Sequence, residues 1–255
     1  MLRKRIIFTL VYSDGFFFQS RNFRIQKVGN LNWLEKNYKF DKISPWIDEL
    51  IILNVSRDQK NIKNFSVDIK KIVKDVFIPI SAGGGVKTSE DAKQLFENGA
   101  DKVVLNTILK KHPDNVEKLV SKYGSQSVVA SVDYKRLDGN LRVYINNGSE
   151  LLDEHLDDYL GIVQDLGVGE IIVNSIDRDG TGFGFNLEEI DEIKAIVNVP
   201  LIVSGGAGNQ YHLHECLKMN GVDAVSTANL FNFVGDGLPK ARKYMIEKGA
   251  NLANW

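Results

Sequence analysis

The chain of 255 residues carries 32 basic and 33 acidic side chains, a net charge of −1, with 25% charged and 43% hydrophobic residues. That balance excludes a disordered or fibrous chain and lacks the basic excess of a diffuse nucleic-acid binder. A single cysteine, Cys216, excludes an internal disulfide framework and a Cys-rich zinc site, and no stretch approaches the ~20 apolar residues that span a bilayer.

The opening run MLRKRIIFTLVYSDG sets basic residues before a short apolar segment, as a signal peptide does, but ends at Ser13-Asp14 without a small-residue cleavage site. It predicts a first strand over residues 5–11 and, with the lone cysteine, a soluble cytoplasmic protein. Asp14-Gly15 before Phe16-Phe17-Phe18 predicts a hairpin or mouth loop, or an exposed apolar patch for a partner. Residues 30–45, aromatic and lysine-rich, show the weakest helical period. Further strands are predicted over 49–54, 78–82, 102–106, 127–133, 170–174, 199–204 and 224–228. Amphipathic helices are predicted over 89–98, 115–123, 154–166, 187–197 and 212–220, several closed by a glycine just past the last turn (Gly99, Gly167, Gly221). Alternating strand and helix means a parallel sheet, open or closed, and no linker divides the chain.

Internal similarity favours closure. Ile78-Pro79-Ile80-Ser81-Ala82-Gly83-Gly84-Gly85 is echoed by Val199-Pro200-Leu201-Ile202-Val203-Ser204-Gly205-Gly206, and Asn98-Gly99-Ala100-Asp101 by Asn220-Gly221-Val222-Asp223. Arg57-Asp58 matches Arg178-Asp179, and the first strand matches Val128-Val129-Ala130-Ser131-Val132-Asp133. The offsets are 121 or 122, so strands one to four repeat as five to eight. Half-barrels of about 1–122 and 123–255 predict one (β/α)8 barrel of the usual ~250-residue size.

Ligands of such barrels sit at the C-terminal ends of the strands. There Gly83-Gly84-Gly85 and Ser204-Gly205-Gly206-Ala207-Gly208 leave backbone N–H groups unshielded for an anion, or serve only as tight turns. Asn106-Thr107 and Ala228-Asn229 end the neighbouring strands, and the two symmetric cradles predict a long ligand with a phosphate at each end. Asp133 ends strand five as a candidate general acid/base, or as a salt-bridged or capping aspartate. Its symmetry mate on strand one is Val11, which transfers no proton. Asp179 is the next candidate, or part of a turn held by local hydrogen bonds. At the opposite end, Arg5, Glu49, Lys102 and Glu170 open their strands. By parity Lys102 and Glu170 point inward, so the four form either a neutral interior ring or a solvated rim of ion pairs. His212, His214 and Cys216 lie two apart on one helix and face away from one another, so neither metal nor cofactor is predicted.

Together these motifs resemble the cyclase subunit of imidazole glycerol phosphate synthase (HisF type), across nearly the whole chain. The match includes Ala82-Gly83-Gly84-Gly85, Gly99-Ala100-Asp101-Lys102-Val103, Ser175-Ile176-Asp177-Arg178-Asp179-Gly180-Thr181 and Ser204-Gly205-Gly206-Ala207-Gly208. That family joins ammonia to a bis-phosphorylated aminoimidazole carboxamide precursor in histidine biosynthesis. The resemblance implies one phosphate on Gly85, Asn106 and Thr107, the other on Gly206, Ala228 and Asn229, and an acid/base role for Asp133. It also makes Arg5, Glu49, Lys102 and Glu170 the gate of an ammonia channel, and Asp101 part of the docking face for a glutaminase subunit (HisH type).

The departures lie at the substrate end: Val11 replaces the strand-one catalytic aspartate, Asn54 a strand-two aspartate, Gln19 a loop lysine and Asn229 a serine. Losing half of an acid/base pair predicts a loss of at least ~10²–10⁴ in ring closure. The leading expectation is therefore a paralogue that passes ammonia from a class-I glutaminase to a third protein, a sugar amidotransferase of surface-polysaccharide type. A genuine cyclase, with Asp179 or a water in place of the lost carboxylate, is the alternative, and a catalytically silent glutaminase-activating scaffold the third.

Overall fold

The computed structural model describes residues 3–38, 43–57, 60–74, 76–229, 232–233 and 235–253. The strands, in chain order, are β1 (Arg5–Ser13), β2 (Phe16–Arg21), β3 (Arg24–Asn30), β4 (Glu49–Asn54), β5 (Ile80–Gly83), β6 (Lys102–Leu105), β7 (Val128–Leu137), β8 (Asn140–Ile145), β9 (Glu150–His155), β10 (Glu170–Ser175), β11 (Leu201–Ser204) and β12 (Ala224–Thr227). Eight of them, β1, β4, β5, β6, β7, β10, β11 and β12, pair in parallel, and β12 returns to β1 to close the barrel. The predicted (β/α)8 barrel is therefore present.

Pro79 and Pro200 precede β5 and β11, which start at Ile80 and Leu201, two residues later than predicted. A proline has no N–H to give a ladder, so it stands at the strand's mouth rather than inside it. Helices α1 (Leu31–Tyr38), α2 (Ile62–Val73), α3 (Ser89–Glu97), α4 (Thr107–Lys111), α5 (Pro113–Tyr123), α6 (Leu156–Asp165), α7 (Leu187–Lys194), α8 (Gln210–Leu217) and α9 (Gly237–Glu247) form the outer ring. Inside the barrel, Ile7, Ile51, Val104, Val129, Ile172, Ile202 and Ala224 fill one apolar layer, and the larger core lies between sheet and helices. Inward side chains thus follow the period of two that the sequence implies.

Two antiparallel additions extend the barrel strands, the first expected and the second not. The Asp14-Gly15 turn, with both φ positive, sends β2 back along β1, and the Asn22-Phe23 turn, also at positive φ, sends β3 back along β2. This is the hairpin alternative; Phe17 is buried against Tyr12, so the run does not form an open apolar patch. β7 continues past Asp133 into a meander with β8 and β9, and the residues 154–155 predicted as helix belong to β9. Asp58, one member of the repeated Arg-Asp pair, lies outside the described residues.

Candidate active site

Along the inward face of β7, Val129, Ser131 and Asp133 climb from the apolar layer to the mouth. Asp133 is 8% exposed and flanked by two amides. Asn106 Nδ2 donates to its Oδ2 at 3.1 Å and Asn174 Nδ2 to its Oδ1 at 3.3 Å. Burial pushes the Asp133 carboxyl up to about 7; the Asn174 and Asn106 donors and Lys60 pull it down, while the Asp179 carboxylate raises it further. An acid that is half ionised near neutrality can both give and take a proton. The amide of Asn106 also donates to Ser131 O at 2.8 Å, so this side chain orients Asp133, a different task from holding phosphate.

Asp179 follows β10 and is also buried, which raises its carboxyl above the ordinary range. Ser20 Oγ and Phe23 N (3.1 Å) donate to its Oδ2, and Asn22 N donates to its backbone oxygen at 2.9 Å. The Asp179 side chain is held by the β2–β3 hairpin rather than by bonds local to its own turn, and its charge acts on Asp133 across the mouth. Val11 stands in the ladder beside Phe18 and Leu53, 7% exposed, and leaves the strand-one side of the mouth apolar. Asn54 turns its Oδ1 onto the N–H (3.1 Å) and Oγ (2.7 Å) of Ser56, so it serves its own loop.

The two glycine turns are built for close backbone approach. At Gly84, φ is +96° and a Cβ would stand 2.0 Å from Asn54 O; at Gly206, φ is +121° and a Cβ would stand 2.3 Å from Gly184 O. No other residue fits either position. Gly85 and Thr107 border the first cradle, where Asn146 N donates to Thr107 Oγ1 at 3.1 Å. The second is a shallow cleft bordered by Gln19, Asp179, Gly205, Gly206, Ala228 and Asn229. Asn229 Oδ1 accepts from Asn232 N at 3.0 Å, so asparagine here closes its own loop. A larger groove, about 280 Å³, lies outside the barrel between the β7–β8 turn, α6 and α7, open to solvent and remote from these groups.

At the barrel's other end the four charges form a closed ring. Arg5 Nη1 contacts Glu49 at 3.1 Å and Glu170 at 3.0 Å; Lys102 Nζ contacts Glu49 at 3.0 Å and Glu170 at 3.2 Å. Ser81 Oγ donates to the other oxygen of Glu49, which is 2% exposed. Each cation touches both anions, so this is the interior ring rather than a solvated rim. Beside it, Asp101 Oδ2 accepts from Ile80 N at 2.8 Å, which ties the start of β5. Asp223 does the same for Leu201 N at 3.0 Å, and Asp48 for Ile6 N at 2.8 Å. Asp101 therefore has a structural task besides any at a docking face. His212 Nδ1 accepts from Gly208 N, His214 stacks edge-on against Tyr244, and Cys216 is buried with its thiol pushed up to about 12. The three side chains have separate surroundings.

Residues 34–235 match a family described as "Histidine biosynthesis protein". The chain belongs to the histidine biosynthesis protein family. A protein of Parasynechococcus marenigrum (strain WH8102) that bears the provisional name imidazole glycerol phosphate synthase subunit hisF2 is 45% identical over 256 residues, covering 100% of this chain and 95% of the relative. Proteins of Chlorobium luteolum and Chlorobaculum tepidum named imidazole glycerol phosphate synthase subunit HisF are each 34% identical over 253 residues, 99% of both chains. Such full-length likeness makes this a HisF-type chain. No described helix is long and apolar enough to cross a membrane.

Three side chains beside the candidate site escaped the sequence reading: Ser20, Lys60 and Asn147. Asn174 is legible there as an inward residue in parity with Glu170 and Ile172, but not as the partner of Asp133 across the β7–β10 ladder. Ser20, Lys60 and Asn147 sit on loops or added strands, where no period shows which way a side chain points.

Proposed function

We propose that this chain is the ammonia-consuming subunit of an imidazole glycerol phosphate synthase, with a class-I glutaminase seated at the ring end. The mouth would bind the bis-phosphorylated precursor across its two cradles, and ammonia entering along the axis would close the imidazole ring, giving imidazole glycerol phosphate and the aminoimidazole carboxamide ribotide. The observation that carries this is Asp133: a buried carboxyl tuned to about 7, held by two amides, on the axis that begins at the charged ring. Asp179 supplies the second titratable group on the mouth, electrostatically coupled to the first, where Val11 supplies none. Full-length likeness to proteins named as subunits of this synthase supports the reading over a silent scaffold, as does the neutral ring, which a scaffold has no use for.

The test is complementation of a histidine auxotroph lacking the cyclase subunit, with an ammonium-driven assay on the purified chain. Growth, and a rate that falls ~10²–10⁴-fold in Asp133→Asn, are the expected results. Val11 favours the second reading, in which ammonia passes on to a third protein, a sugar amidotransferase. No growth, no turnover with ammonium, and turnover gained in Val11→Asp would establish that reading instead. Lys102→Ala tests the gate in either case. Its flexible stem is the one that can swing while Arg5 stays paired, so the variant should lower the fraction of glutamine-derived ammonia that reaches product. Unchanged transfer would remove the gate from the mechanism.

A further inference from the structure

Beyond the residues already assigned, the first cradle holds a cation whose position nothing else in the mouth explains. The stem of Lys60 runs along Gly85: a Cβ built on that glycine would stand 2.8 Å from Lys60 Cβ and 3.0 Å from its Cδ. Its Nζ donates to Asn147 Oδ1 at 3.3 Å, and Asn147 in turn donates to Val55 O at 3.3 Å. Asn147 belongs to the β8–β9 turn, with Asn146, Asn147 and Gly148 all at positive φ. The same turn reaches Thr107 through the Asn146 N–H. Lys60, Gly85, Thr107 and the turn, from four separate segments of the chain, are thus linked by contacts at one side of the mouth.

Among the described residues Lys60 makes no ion pair within contact distance, although it is half-buried. Burial lowers its ammonium from the ordinary lysine value, Asp133 opposes that, and Lys87 reinforces it. A desolvated ammonium with one long bond to a neutral amide is costly to hold, and a dianion placed against it would recover that cost. Exposed lysines have water for this purpose; Lys60 has Asn147.

We propose that Lys60 is the cation of the first cradle, its ammonium swinging from Asn147 onto a phosphomonoester held by Gly85 and Thr107. The proposal deepens the functional reading above and rests on its premise that the mouth binds phosphate. Lys60 also sets specificity, because it selects a dianionic end group at this cradle over a neutral hydroxyl of the same size.

The experiment is a titration of the full chain with inorganic phosphate, followed by amide chemical shifts, in wild type, Lys60→Met and Lys60→Arg. Methionine keeps the stem along Gly85 and removes only the charge, and the unfolding temperature of each variant checks that the barrel is intact. Expected in Lys60→Met is phosphate binding weakened about 10- to 100-fold at Gly85 and Thr107, with no change at Gly205, Gly206 and Ala228. Lys60→Arg should recover most of the loss. Binding at the first cradle within twofold of wild type in Lys60→Met would overturn the proposal while leaving the mouth a phosphate site. Wild-type shifts confined to the second cradle would also overturn the proposal and spare the wider reading. Shifts at neither cradle would overturn both.

Discussion

Asp133 couples chemistry to stability through one proton. Its folded-state carboxyl lies at about 7, against about 4 for an unfolded aspartate, so between these values the native state holds a proton that the unfolded chain has released. Stability contributed by this group is therefore greatest below about pH 4 and declines as pH rises through about 7. In Asp133→Asn that decline should disappear, and above pH 7 the variant should be more stable than wild type. The shift bounds the gain at about 4 kcal/mol, and clashes with the donating amides of Asn106 and Asn174 reduce it to ~1–3 kcal/mol. Urea unfolding at pH 5 and pH 8 checks both the slope and its loss, and parallel curves for the two proteins would show that Asp133 titrates normally. The same position was legible in the sequence as a carboxylate ending an apolar strand. Its environment was not, because Asn106 and Asn174 approach from the neighbouring strands and their bonds depend on ladder register.

Helix α9 shows how an outer element is fixed to the barrel's floor. Arg242 is 1% exposed; its Nη1 and Nη2 each lie 2.9 Å from an oxygen of Asp48, and its Nε and Nη2 donate to Ala253 O at 3.2 and 2.7 Å. Asp48 also accepts from Ile6 N, so one pair holds the C-terminal segment, α9 and the start of β1. Arg242→Ala should cost about 3–5 kcal/mol, since it strands a carboxylate that is only 10% exposed, whereas Arg242→Met with Asp48→Leu should cost much less. Denaturant midpoints for the single and double variants check this. Nothing in the sequence singled out Arg242, because an arginine in an amphipathic helix reads as solvent-facing until the neighbouring loop supplies its partner. The barrel strands were legible because apolar runs, glycine turns and the 122-residue repeat agree with one another. The β7–β9 meander was not read, although Asp138-Gly139, both at positive φ, is a hairpin signal that was available. Residues 154–155 were drawn into the following helix, whereas the pairing of His155 with Arg142 across the ladder makes them strand.

At the scale of the whole barrel, the repeat and the charged ring carry different symmetries. Glu49 and Glu170 are mates under the repeat, but the position equivalent to Arg5 is Ser127 and that equivalent to Lys102 is Ala224. Both cations of the ring therefore come from the first half, and the second half contributes a single anion. Expressed as separate fragments, two copies of the first half would meet with an excess of two positive charges at a dehydrated seam. Two copies of the second would meet with two glutamates and no counter-ion. Only the mixed pair is neutral. The ring should thus act as a matching code between halves: mixed from equal amounts of 1–122 and 123–255, the fragments should form the heterodimer in preference to either homodimer, and Glu170→Gln should relax that preference. Native mass spectrometry of the mixture reads the ratio directly, and a statistical distribution of pairs would show that the floor of the barrel has no say in which halves meet.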